Sequence, residues 1–143
     1  MMLRHYEHLI GKYHFRFIDQ RMEALGISGP LGFYLMEIDK SHSIKQNQMI
    51  GNTPYHKSHA TRMLCRLQEL GLVEKSVDSD DQRGYIITIT DKGHEIAMKA
   101  KSVHEEWDHL VDETLTKEEY DIMTELMKKT YLHLKSIFGE DTK

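Results

Sequence analysis

The spacing of apolar residues divides this chain into helical ends and a short β segment, and this division limits the possible folds most. Apolar residues recur every three or four positions along most of the sequence, which is typical of amphipathic helices. Between residues 72 and 90 the pattern alternates and is rich in β-branched residues, which predicts two strands, 72–77 and 85–90. We therefore predict a mainly α fold with a small β-hairpin and helices over 3–25, 30–40, 44–51, 55–70, 91–113 and 116–138.

Capping and turn signals set several of these boundaries. Ser43 and Gln46 have the spacing of a capping box for the third helix. Thr116 and Glu119 have the same spacing in front of the last helix. The run 51–54, Gly-Asn-Thr-Pro, is a turn signature and separates the third helix from the fourth.

Length and composition fit one domain over residues 1–143. No run approaches the roughly 20 apolar residues of a membrane span, and the first residues lack the apolar stretch of a secretory signal. We therefore expect a cytoplasmic protein without a membrane partner. The single cysteine excludes an internal disulfide framework. No phosphate-binding glycine loop, nucleophile elbow or HExxH motif is present, so we expect neither enzymatic activity nor a cofactor.

The charge of the chain is unevenly distributed. The formal net charge is −4, which by itself argues against nucleic-acid binding, since such domains usually carry a basic excess. The window from Ile44 to Lys75 nevertheless holds five cations and two anions, a net charge of +3, so the remaining residues carry −7. A domain with one basic face can bind phosphates whatever its total charge.

Two short helices, a tight turn and a hairpin follow one another in the order of a winged helix-turn-helix. In that arrangement the second helix fits the major groove of DNA while the first braces it across the backbone. The groove-entering helix here is 55–70, whose first half is rich in hydrogen-bond donors and has no acidic residue. The helix dipole also favours phosphate at that end. The expected contacts in this helix are Tyr55, Lys57, Ser58, His59, Thr61, Arg62 and Arg66, and those from the preceding helix are Lys45 and Gln46.

Three motifs in register resemble the MarR family of transcriptional regulators. They are residues 68–75 (QELGLVEK), residues 81–83 (DQR) and residues 89–93 (ITDKG). Residues 57–62 (KSHATR) are also similar to the start of the family's recognition helix. One position departs from the family pattern, because His56 stands where the family commonly has an aspartate N-cap. Histidine caps poorly, so we expect this helix start to be loose or capped from Thr53.

The resemblance implies a homodimer that binds double-stranded DNA at a pseudo-palindromic site, most often as a repressor. It implies dimerisation helices at about 1–25 and 93–138, around a winged domain at about 28–92. In the family, the arginine matching Arg83 enters the minor groove, and the aspartate matching Asp81 orients it by a salt bridge. The long apolar stripes of helices 3–25 and 116–138 independently predict burial against a partner.

The resemblance also implies a small-molecule effector, whose binding residues the sequence leaves unknown. The aromatic side chains of Tyr13, Phe17, Tyr34 and Trp107 could line a pocket, but at these spacings such residues more often belong to a core.

A metal-responsive regulator is one alternative that the residues leave open. His104 and Asp108 are four positions apart and share a helix face, with His109 adjacent and Glu23 or His42 as further ligands. A zinc site needs about four ligands, so a polar helix surface is the favoured interpretation and no metal is expected.

A protein-interaction module that has lost DNA binding is another alternative. It is favoured by the net negative charge and by three aspartates at the predicted tip of the hairpin. The three aspartates are Asp78, Asp80 and Asp81.

Cys65, beside Leu64 and Leu67, is expected to be a buried, inert thiol rather than a redox sensor.

Overall fold

A computed structural model describes residues 2–51, 53 and 56–139. It confirms the mainly α class with a small antiparallel sheet, and all six predicted helices are present. Their boundaries lie within about two residues of the predicted ones. The elements are α1 (Met2–Ala24), α2 (Gly29–Ser41), β1 (Ser43–Lys45), α3 (Gln46–Gly51), α4 (Lys57–Glu69), β2 (Val73–Val77), β3 (Tyr85–Ile89), α5 (Asp91–Asp112) and α6 (Lys117–Phe138).

The predicted start of the third helix is wrong, because residues 43–45 form a strand. β1 pairs antiparallel with β3, with Ser43 opposite Thr88, and the sheet order is β1-β3-β2. The Ser43 hydroxyl lies 2.8 Å from the Thr88 hydroxyl across the strands and does not cap α3. An unpaired edge of β3 would leave backbone donors and acceptors without partners. Pairing with that edge therefore outweighs the local capping signal.

The second predicted capping box is confirmed. The Thr116 hydroxyl accepts from the Glu119 amide at 3.2 Å, and the Glu119 carboxylate accepts from the Thr116 amide at 2.8 Å. Thr90 caps α5 in a similar way by accepting from the Gly93 amide at 3.0 Å. These caps fix the points at which the two long C-terminal helices begin.

The core forms around helix α2, which packs against elements from both the middle and the ends of the chain. Helices α1, α4 and α5 and strands β1 and β3 all contact α2. Arg21 of α1 pairs with Glu106 of α5 at 2.6 Å, and the rings of Phe17 and Trp107 lie 5.7 Å apart in the same contact. The fully buried large side chains are Tyr34, Met22, Leu35, Ile38, Met49 and Leu67.

Helix α6 contributes nothing to this core. None of its 22 residues is buried, although the helix has the apolar pattern that normally follows a buried face. Most of the exposed large apolar side chains of the described residues belong to α1 and α6. Those of α1 are Met2, Leu3, Tyr6, Ile10, Tyr13 and Phe15, and those of α6 are Ile122, Met123, Leu126, Met127, Tyr131, Leu132, Leu134, Ile137 and Phe138.

Within the described residues, no helix is long and apolar enough to span a membrane.

Candidate nucleic-acid interface

The N-terminal half of α4 presents a polar surface that is held by its own cap. His56 is the N-cap, and its Nδ1 accepts from the Ser58 amide at 3.2 Å. The expectation of a cap from Thr53 is therefore wrong, because Thr53 is buried in another contact. Because Nδ1 accepts a hydrogen bond, the neutral imidazole of His56 carries its proton on Nε2.

Three of the predicted DNA-contacting cations are free to meet phosphate. Lys57 and Arg62 on α4 and Arg83 between β2 and β3 are exposed. None of the three forms an ion pair with any residue that the structure describes. Their charges therefore remain uncompensated locally, which is what an anion-binding surface requires.

Two other predicted cations already have acidic partners. Arg66 pairs with Glu69 one turn further along α4 at 3.1 Å. Lys45 of β1 lies 3.6 Å from the Asp78 carboxylate. Exposed pairs of this kind contribute about 0–1 kcal/mol, so phosphate could compete for Arg66. Lys45 differs because its partner is buried.

The predicted base-reading side chains of α4 are partly engaged within the protein. The Thr61 hydroxyl donates to the Lys57 carbonyl at 3.0 Å and therefore bonds its own helix. The Ser58 hydroxyl is exposed and lies 2.9 Å from His56 Nδ1. His59 is half-buried, with Nδ1 3.2 Å from the Tyr34 hydroxyl.

Two residues of this contact, Tyr34 and Thr53, were not predicted to belong to the site. The Tyr34 hydroxyl lies 3.1 Å from the Thr53 hydroxyl, so it links the segment between α3 and α4 to the first turn of α4. Sequence analysis placed Tyr34 in the core or a pocket, because its spacing on α2 is apolar. Only the mixed character of tyrosine, an apolar ring with a polar tip, hinted at a hydrogen-bonding role.

The loop between β2 and β3, residues 78–84, is organised by a buried carboxylate. Asp78 is 3% exposed, and its Oδ1 accepts from the Asp80 amide at 3.0 Å. The Asp78 amide in turn donates to the Gly84 carbonyl at 3.0 Å. The hydrogen bond from the Asp80 amide, reinforced by Lys45, lowers the pKa of Asp78 below its ordinary value of 3.8. The interpretation of Asp78 as an acidic residue of the loop tip is therefore wrong.

Asp81 supports Arg83 differently from the expected salt bridge. Its Oδ1 accepts from the Arg83 backbone amide at 3.1 Å, and its carbonyl accepts from the Gly84 amide at 2.8 Å. The carboxylate therefore shapes the turn that carries Arg83 and leaves the guanidinium unpaired within the described residues. An aspartate that bonds the backbone two residues later is a common turn-forming device.

Gln46, predicted to brace the DNA backbone, turns its amide oxygen inward. Its Oε1 is buried and has no hydrogen-bond partner among the described residues. Tyr55, another predicted contact, lies outside the described residues, so its assignment stays a prediction.

Cys65 is exposed, so the expectation of a buried thiol is wrong. It follows buried Leu64 by one residue, a rotation of about 100° around the helix, which carries it to the solvent side.

The metal-responsive alternative requires several ligand side chains close together. In the described part of the protein, no three His, Cys, Asp or Glu side chains come close enough to hold a metal ion. His104 packs beside His14, with ring centroids 6.3 Å apart. Burial and then the charge of His14 lower the pKa of His104, while Asp108 acts in the opposite direction.

We expect Asp78→Ala to lower the urea midpoint of unfolding, whereas Asp80→Ala, which keeps the donating backbone amide, should leave it nearly unchanged. Because folding lowers the pKa of Asp78, its stabilisation is complete above pH 3.8 and is lost as the pH falls through the lower folded-state value. The difference between wild type and Asp78→Ala should therefore narrow only in acid. Equal midpoints for the two variants at pH 7 would contradict this role.

Comparison with known proteins shows which proteins this chain resembles. No protein-family model matches the sequence. The chain is 27% identical over 116 residues to the HTH-type transcriptional regulator BilQ of Clostridioides difficile, covering 81% of this chain and 76% of that protein. The crystal structure of MarR superposes with a TM-score of 0.77 at 25% identity, covering 94% of this chain and 98% of the other.

In sequence and fold, the chain is similar to the MarR family of transcriptional regulators. The MepR–DNA complex of Staphylococcus aureus has the same fold, with a TM-score of 0.85 at 20% identity over 94% of this chain and 99% of the other. In this winged-helix fold, α3 and α4 form the helix-turn-helix. Strands β2 and β3 with loop 78–84 form the wing.

Proposed function

We propose that this chain is a sequence-specific DNA-binding transcriptional regulator that acts as a homodimer, most simply as a repressor. Helix α4 enters the major groove, and the wing places Arg83 in the adjacent minor groove. The observation that carries this proposal is a set of three exposed cations on α4 and the wing that form no ion pair with any described residue, Lys57, Arg62 and Arg83. They stand in a protein whose net charge is −4.

The remaining predicted contacts take narrower roles in this proposal. Ser58 is exposed at the start of α4 and is placed to reach base edges, since serine can donate to or accept from any base. Lys45 and Asp81 support the wing and do not themselves bind DNA. Burial of the Asp78 carboxylate also removes part of the acidic tip that favoured an interaction module without DNA binding.

The second protomer is the partner that the apolar surfaces of α1 and α6 fit. Six exposed large apolar side chains lie on α1 and nine on α6, too many for isolated surface residues. Both helices lie at the ends of the sequence, outside the helix-turn-helix, so that a dimer through them leaves both α4 helices free. The domain division follows, with dimerisation helices at about 1–25 and 93–138 around a winged domain at about 28–92.

An effector acts in this scheme by changing the distance between the two α4 helices. Such a ligand shifts the equilibrium only if it binds one dimer geometry better than the other. Small apolar or aromatic molecules are the class to screen, because aromatic side chains such as Phe17 and Trp107 line the contact between α1 and α5.

Arg62→Ala and Arg83→Ala should each weaken binding to a specific DNA site by about 10- to 100-fold, because a bidentate or groove-inserted arginine contributes about 1–3 kcal/mol. Fluorescence anisotropy with labelled DNA measures this loss. Arg16→Ala, at an exposed arginine of α1 outside the helix-turn-helix and the wing, is the matched control and should bind as wild type does. If the Arg62→Ala or the Arg83→Ala variant bound DNA with wild-type affinity, that arginine would not belong to the interface.

A further inference from the structure

One buried phenol joins three segments of the helix-turn-helix. Tyr34 of α2 is fully buried, and its hydroxyl lies 3.1 Å from the Thr53 hydroxyl and 3.2 Å from His59 Nδ1. Thr53 lies between α3 and α4, and His59 is in the first turn of α4. The Tyr34 and His59 rings also contact each other, with centroids 5.9 Å apart.

Packing alone does not require this hydroxyl. Phenylalanine has the same ring, and a buried hydroxyl costs free energy unless it is hydrogen-bonded. The hydroxyl of Tyr34 must therefore be matched by partners at fixed positions, and both partners belong to the DNA-reading unit. Hydrogen bonds are directional, so a rotation of α4 that moved His59 away would break its contact with the Tyr34 hydroxyl.

The first turns of α4 depend on this contact more than the later turns do. The buried leucines of α4, Leu64 and Leu67, lie in its second half. In the first half only Ala60 is buried, and its small side chain gives little resistance to rotation. The contact of His59 with Tyr34 therefore supplies a directional constraint between α2 and the end of α4 that carries Lys57 and Ser58.

We propose that Tyr34 is a positioning residue for DNA readout. Through Thr53 and His59 its hydroxyl fixes the rotation of the first turns of α4, and so the placement of Lys57, Ser58 and Arg62. This inference rests on the proposed DNA-binding function. It assigns no DNA contact to Tyr34 itself, which is fully buried.

Tyr34→Phe tests the proposal because it removes one oxygen atom and keeps the ring. We expect the variant to lose about tenfold in affinity for a specific site while its affinity for random-sequence DNA stays unchanged. Base-edge contacts need accurate placement, whereas phosphate contacts tolerate small shifts. Binding is measured well below the unfolding temperature, so that a merely structural loss of stability leaves both affinities unchanged. That outcome would overturn the proposal.

A cycle with His59 separates action through the contact from an independent effect. If Tyr34 acts through His59, Tyr34→Phe should add almost nothing in a His59→Ala background. Thr53→Val, which removes the other hydroxyl, should reproduce part of the loss, and Thr53→Ser should restore it. Additive losses for Tyr34→Phe and His59→Ala would contradict the link.

Hydrogen exchange tests the positioning without DNA. In Tyr34→Phe the amides of residues 57–63 should exchange faster than in wild type, while those of α5 keep their protection. Unchanged exchange at residues 57–63 would overturn the inference. Wild-type protein that bound specific and random DNA equally would instead refute the proposed function, so the two failures are distinguishable.

Discussion

Leu126→Glu should convert the protein from a dimer to a monomer and reduce its affinity for specific DNA by at least about 100-fold. Leu126 is 58% exposed on the apolar face of α6 in the single chain. In the proposed dimer it is buried, and a two-fold axis introduces the substitution twice. A buried carboxylate without a partner costs several kcal/mol, and each 1.4 kcal/mol corresponds to a factor of ten.

Lys128→Gln is the matched control for this substitution. It makes the same change of −1 in net charge, and two residues along the helix place it on the opposite side of α6. Sedimentation equilibrium gives the mass of each variant, and circular dichroism checks that the helices are retained. A dimeric Leu126→Glu protein would contradict the assignment of this face to the second protomer.

Gly93→Ala should destabilise the fold by about 3 kcal/mol, the upper end of the usual range for overpacking that forces the backbone to move. A Cβ at this position would lie 2.0 Å from the Leu72 carbonyl oxygen and 2.8 Å from Ile89 Cγ1. That carbonyl cannot retreat freely, because it accepts from the Thr90 amide at 3.1 Å. The backbone at the start of α5, at Gly93, is therefore in close contact with the backbone at the base of the wing, at Leu72.

Gly29→Ala is the matched control, since Gly29 also lies in the first turn of a helix. Its Cβ would meet only Ile18 Cγ2 at 3.7 Å, an ordinary contact, so the change should be within about 0.5 kcal/mol. Urea unfolding at one fixed protein concentration compares the variants, because the stability of a dimer depends on concentration. Similar midpoints for the two alanine variants would show that α5 does not approach β2 this closely.

The sequence was sufficient for the elements whose signals are local. The three–four spacing, together with capping and turn signals, predicted all six helices, and the capping box of Thr116 and Glu119 formed as predicted. Sequence analysis failed at residues 43–45, where a similar capping-box signal is present but the residues pair with β3 as a strand. That pairing partner is more than 40 residues away, so no local pattern reports it.

The candidate site shows the same division. The positions of Lys57, Arg62 and Arg83 followed from motif and charge. The ion pair of Lys45 with Asp78 and the contact of Tyr34 with His59 join distant elements. Three neighbouring aspartates look alike in sequence, yet only Asp78 is buried, because it lies at the base of the wing and not at its tip. Such differences depend on tertiary packing.

The central claim, a sequence-specific DNA-binding dimer, is tested most directly by titrating the protein against the promoter DNA flanking its own gene at several salt concentrations. The account predicts saturable binding that survives excess random-sequence DNA and weakens steeply with salt. The dimer has six proposed cations, Lys57, Arg62 and Arg83 of each protomer. If all six neutralise phosphates, the logarithm of the association constant falls with the logarithm of the salt concentration with a slope of roughly −5. Absence of binding at low salt, or binding that random DNA removes equally well, would contradict it.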